Sequence, residues 1–113
     1  MTNNKSTKFF LGLTTEENMM CAKSLATKIL SKNLASCINF IKVESKYIWK
    51  NKLIDTEEVK LIIKFRSRSL EELKFYLNDN HSYEIPEFIY WEVKASESYY
   101  SWLDSTSFIK CDS

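Results

Sequence analysis

Apolar and polar residues alternate in some stretches of this chain and recur at helical spacing in others. In residues 8–14, Phe9, Leu11 and Leu13 share one side, which predicts a strand. Met19, Ala22, Ala26, Ile29 and Leu30 then recur every three or four positions, which predicts a helix. Thr15 is suited to cap that helix, and Glu16 and Glu17 suit the positive end of its dipole. Lys28 and Lys32 suit its last turn, and Asn33 the left-handed residue that ends it.

Residues 34–49 are rich in β-branched and aromatic side chains and read as one extended strand, with room for a bulge. They are apolar on both faces up to Ile41, and beyond it they alternate. Residues 50–56 turn the chain. Residues 57–66 give the clearest strand: Val59, Leu61, Ile63 and Phe65 point one way, and Glu58, Lys60, Lys64 and Arg66 the other. Ser69 and Glu72 have capping-box spacing ahead of a helix carrying Leu70, Leu73 and Leu77 and ending near residues 78–80. Residues 88–95 alternate again, with Ile89, Trp91 and Val93 together. Ser96 then suits the cap of a short third helix bearing Tyr99, Trp102 and Leu103.

The order β-α-β-β-α-β plus a terminal helix predicts an α+β fold of the ferredoxin-like kind, a βαββαβ sandwich with a long hairpin between its second and third strands. Residues 8–105 form the expected domain, between a frayed tail at 1–7 and a second tail at 106–113. One face of such a sheet stays bare. The hairpin tip also carries Tyr47, Ile48 and Trp49, and exposed apolar groups of this kind mark interfaces unless they fold back on their own subunit. A ring of subunits would cover both the tip and the bare face.

Composition narrows the function. The 113 residues carry 16 basic and 15 acidic side chains, a formal net charge of +1, so no basic footprint for nucleic acid or anionic membrane exists. No apolar run is long enough to span a bilayer, so no membrane insertion is expected. Cys21, Cys37 and Cys111 are odd in number and widely spaced, with no Cys-x-x-Cys pair. This fits a reducing, cytoplasmic setting better than a disulfide framework. Cys111 falls in the polar tail.

The most informative segment is His81-Ser82-Tyr83-Glu84-Ile85-Pro86-Glu87, which holds the one histidine and the one proline of the chain. Proline can neither continue a helix nor donate to a central ladder, so the segment reads as a shaped connection. His81, Glu84 and Glu87 are ligand types that divalent cations accept, although exposed surface and loop-fixing hydrogen bonds call for the same residues.

Three segments together resemble the CutA divalent-cation tolerance family. Leu34-Ala35-Ser36-Cys37-Ile38-Asn39 is similar to its Leu-Ala-Ala-Cys-Val-Asn strand. Tyr47-Ile48-Trp49-Lys50-Asn51-Lys52 is similar to its Tyr-x-Trp-x-Gly-Lys hairpin. Residues 81–87 match its His-Pro-Tyr-Glu-x-Pro-Glu signature at all positions but Ser82. Glu58, Lys64 and the group Tyr99, Trp102 and Leu103 also resemble the pattern, and the likeness runs from about residue 8 to about residue 104. It implies a ferredoxin-like subunit in a cytoplasmic homotrimer that serves divalent-ion tolerance, with copper or another divalent cation as its ligand and no established reaction. It also implies trimers like those of the PII signalling proteins, which hold small ligands in clefts between subunits. Asn51 stands in place of the hairpin glycine and tolerates a left-handed turn. Gly12 and Tyr76 stand where some members carry further thiols, so only Cys37 is kept.

The metal-binding candidates are therefore Cys37, His81, Glu84 and Glu87, with Glu58, Lys64, Tyr83 and Trp49 expected to line a cleft. Cys37 is either a soft copper ligand or a small apolar group on a strand. Catalysis is not expected. A Ser-His-Asp or Cys-His arrangement would have to use His81, which has no nucleophile motif near it. Acylphosphatases share the fold, but Thr14, Thr15, Glu16 and Glu17 form no anion cradle. Two functions remain: a metal-binding trimer that supports ion tolerance, or a trimeric sensor or scaffold for an unknown small ligand or protein, in which metal binding is incidental.

Overall fold

The computed structural model describes residues 7–107. Its elements are β1 (Lys8–Glu16), α1 (Met19–Ser31), β2 (Cys37–Trp49), β3 (Lys52–Phe65), a 3₁₀ turn (Ser67–Ser69), α2 (Leu70–Asn80), β4 (Ile89–Lys94) and α3 (Glu97–Ser105). All pairings are antiparallel and give one four-stranded sheet in the order β2-β3-β1-β4. This is the ferredoxin-like α+β arrangement. Cys111 and most of the two expected tails lie outside the described residues.

Alternation along β3 divides the sheet into two faces. Val59, Leu61, Ile63 and Phe65 are each at most 4% exposed and pack against Ala22, Leu25, Ala26 and Ile29 of α1 and Leu73 and Leu77 of α2. Burial of each large side chain there contributes roughly 1.5–3 kcal/mol. β1 presents Phe10, Gly12, Thr14 and Glu16 on this same face, by its register with β3. A Cβ on Gly12 would lie 2.7 Å from Phe88 Cε1 and 3.0 Å from Phe65 Cε1, so only glycine lets these rings close over the strand. A thiol at this position has no room.

The opposite face carries Phe9, Leu11, Leu13, Ile41, Ile62, Ile89 and Trp91. α3 covers only one end of it. There Phe9 meets Tyr99 with ring centroids 6.4 Å apart, Ser36 Oγ donates to the Leu103 carbonyl at 2.7 Å, and Leu103 is fully buried. Away from α3, Ile41, Ile89 and Trp91 are 47%, 53% and 44% exposed.

Local boundaries depart from the sequence expectations for definable reasons. β1 runs on through Thr15 and Glu16, which pair with Lys60 and Val59. Thr15 therefore does not cap α1. Asn18 does, with its side chain accepting from the Cys21 N–H at 2.8 Å, and no acidic residue lies in the first helical turn. Asn33 takes the expected left-handed conformation, with φ 59°. The capping box at Ser69 does not form, because Ser69 already belongs to the 3₁₀ turn and has helical backbone angles.

The hairpin is longer and tighter than expected. β2 and β3 pair without a bulge from Cys37↔Lys64 to Trp49↔Lys52, leaving only Lys50 and Asn51 in the turn. Their φ values of 50° and 65° are the left-handed pair that a type I′ hairpin requires. β1 pairing ends at Val59, so the hairpin beyond that point projects past the sheet. The radius of gyration is 15.9 Å, against about 13 Å for a compact chain of this length. The projecting hairpin contributes to the difference.

Candidate functional site

The loop after α2 passes round the end of the sheet, from its helix-covered face to the open one. Its beginning is anchored inside. His81 leaves the helix with extended backbone, and its side chain is fully buried. The Tyr83 N–H donates to His81 Nδ1 at 3.0 Å, so the ring proton sits on Nε2, which lies 3.1 Å from Thr14 Oγ1. Both ring nitrogens are thus engaged, and the Nδ1 lone pair does not face solvent. The buried Glu16 carboxylate accepts from the Ser82 N–H at 3.2 Å and stands 3.7 Å from His81 Nδ1. Thr14, Glu16 and His81 together fasten the loop to β1.

The later part of the loop faces the hairpin across a cleft of about 380 Å³, lined by Thr15, Tyr47, Trp49, Glu58, Tyr83, Glu84, Ile85 and Glu87. Tyr47, Trp49 and Glu58 share one face of the hairpin through the period-2 alternation of their strands. Tyr83 Oη donates to Glu58 Oε2 at 2.5 Å. Burial, and then this bond, push the phenol of Tyr83 well above its ordinary value of 10.0. Glu87 accepts from Thr15 Oγ1 and from Lys60 Nζ, the latter at 3.1 Å. Lys50 at the turn reaches Glu84 at 3.9 Å.

The expected site residues therefore divide. Glu58, Trp49, Tyr83, Glu84 and Glu87 line the cleft, whereas His81 lies behind it on the helix side. Lys64 is absent from the cleft lining. It donates to Tyr99 Oη at 3.1 Å, six residues along β3 from Glu58, a separation of roughly 20 Å at strand rise. Cys37 pairs with Lys64 at that far end and is only partly buried. Among the described residues no group of three His, Cys, Asp or Glu could hold a metal ion. The donors of one protomer do not by themselves fit a metal. Tyr47 and Trp49 belong to the cleft, while Ile48 and its cross-strand partner Leu53 point the other way and are 73% and 69% exposed.

Thr14, Thr15, Glu16 and Lys60 were not among the candidates. Thr14 falls at the end of the expected strand, and Thr15 and Glu16 read as a helix start. Alternation continued two residues past Thr14 would have placed Thr15 beside Lys60, and Asn18 was available as the cap.

Sheet order, helices on one face, a projecting hairpin and a cleft at its base define a ferredoxin-like subunit with a polar and aromatic pocket. The chain belongs to the CutA1 divalent ion tolerance protein family, whose model matches residues 10–106. It is 37% identical over 95 residues to the chloroplastic protein CutA of Arabidopsis thaliana, covering 82% of this chain and 52% of that one, so it spans about half the length of this plant relative. It is 31% identical over 96 residues to the divalent-cation tolerance protein CutA of Pectobacterium atrosepticum, covering 83% of this chain and 87% of that one. The crystal structure of CutA1 from Oryza sativa superposes with a TM-score of 0.83 at 32% identity, covering 93% of this chain and 98% of that one.

Proposed function

We propose that the protein is a cytoplasmic homotrimer that binds divalent metal ions, copper foremost, and so contributes to metal-ion tolerance without catalysing a reaction. The observation that carries this reading is the gathering of Glu58, Glu84 and Glu87 in one cleft of a chain from a divalent-ion tolerance family. Since the described residues of one protomer supply no closed donor set, the cation site needs a group from an adjoining subunit. The open apolar face of the sheet supports association, because contiguous exposed apolar surface is what subunit contacts cover. Free Cys21 and Cys37 fit a reducing compartment.

Calorimetric titration of copper(II) tests the assignment. Glu84→Gln and Glu87→Gln are expected to weaken binding about tenfold each. His81→Ala is expected to weaken it by loosening the loop. Equal, weak binding by wild type and all three variants would sink the assignment.

A second reading is a trimeric small-ligand sensor of the PII-like kind, with metal binding incidental. It is favoured by the aromatic walls of the cleft, Tyr47, Trp49 and Tyr83, which a metal site does not require. A native mass spectrum of the purified protein that retains an organic ligand and no metal supports this reading; one that retains metal alone rejects it.

A further inference from the structure

We propose that the cleft is a receptor for a small methylated ammonium ion, a proposal that gives the small-ligand reading a chemistry and rests on it. Three aromatic rings and three carboxylates face this space, Tyr47, Trp49 and Tyr83 with Glu58, Glu84 and Glu87. Aromatic faces attract cations through their quadrupole, and most strongly where water is displaced. A cleft of about 380 Å³ lies within the range of small-molecule sites.

The charges inside are unevenly matched. Lys60 is paired with Glu87 and Lys50 with Glu84. Glu58 is 7% exposed, and its partner is the neutral Tyr83 phenol; among the described residues no ammonium or guanidinium pairs with it. Three carboxylates against two ammonium groups leave one negative charge, and it is the buried one. A buried carboxylate without a counter-ion is costly, so a monocation entering the cleft gains its field.

Two further observations select the kind of cation. A metal ion needs several converging donors, which the described residues do not provide. Cleft carboxylates already accept hydrogen bonds from Tyr83, Thr15 and Lys60, so they offer field more than free acceptor sites. A quaternary methylated ammonium, which has no N–H to donate, loses nothing there. The protein also holds an ammonium of its own at the rim: Lys50 Nζ lies 5.5 Å from the Trp49 ring centroid and 3.9 Å from Glu84 Oε1. This exposed side chain lies within reach of both indole and carboxylate and competes with any ligand for them.

The test is calorimetric titration of choline chloride into the full-length, assembled protein in chelator-containing buffer, beside its neutral isostere 3,3-dimethylbutan-1-ol. Choline is expected to bind saturably and the isostere about tenfold more weakly. Glu58→Gln is expected to lose about tenfold in choline affinity, whereas Lys50→Gln, an exposed turn substitution, is expected to gain it by removing the internal competitor. Equal binding of choline and isostere overturns the proposal, as does an unchanged affinity in Lys50→Gln. Absence of saturable choline binding at tens of millimolar overturns it too, including the case in which a neighbouring subunit fills the cleft. Retention of a different organic ligand in the native mass spectrum would then leave the sensor reading standing, and copper titration is scored separately.

Discussion

The two faces of the sheet are built from the same strands and meet opposite fates. On the helix-covered face, Leu61, Ile63 and Phe65 are completely buried by their own chain. On the other face, Ile41, Ile89 and Trp91 stay about half exposed, although they are equally apolar. Alternation alone does not distinguish these faces, because both sides of β1 and β3 carry large apolar groups. Only the side on which α1 and α2 cross decides which becomes core. A face that is apolar yet uncovered is the physical reason to expect self-association.

Substitutions on the two faces should therefore fail differently. The largest effect is expected for the double change Ile62→Glu and Trp91→Glu on the open face, which should leave the proposed trimer sedimenting as single chains. An unchanged sedimentation coefficient would remove the open face from the interface. Phe65→Ala on the covered face should instead cost about 3–5 kcal/mol in urea unfolding through the cavity it leaves. Gly12→Ala should cost roughly 1–3 kcal/mol by the same measurement, because Phe88 and Phe65 must shift to admit the methyl group.

The smallest effect concerns the cleft at the border of the two faces. In the unfolded chain Tyr83 ionises near its ordinary value of 10.0; in the folded chain it stays protonated at higher pH. Above that value the folded state binds the extra proton, so this contribution is complete below about pH 10 and declines as pH rises further. Thermal melts of wild type should lose stability more steeply above pH 10 than those of Tyr83→Phe. Parallel curves would show that the phenol is not shielded.

Much of the fold was legible because strand alternation and helical spacing are strong over long stretches such as residues 57–66. The hairpin survived the absence of glycine because Asn51 accepts a positive φ, as its residue type implies. The start of α1 was misplaced by three residues, since Thr15, Glu16 and Glu17 are cap-type residues whose strand pairing with β3 overrode local preference. The candidate site was legible as a set of residue types but not as a place. Nothing in the spacing of His81, Glu84 and Glu87 tells that the chain crosses the sheet end between them, burying the first and presenting the others. The separation of Cys37 from Glu58 follows from register, which one sequence does not contain.

The projecting hairpin acts as a cantilever. Its root is clamped where β1 pairing ends, while Trp49 and Lys50 ride on its free end beyond Val59. Tyr83 and Glu87, across the gap, are fixed to the body of the sheet through Glu58, Thr15 and Lys60. A few degrees of twist at the root become a displacement of ångströms at the tip. The gap between jaw and anvil therefore follows the angle of the hairpin at its root, and whatever grips the arm of the hairpin also sets the width of the cleft.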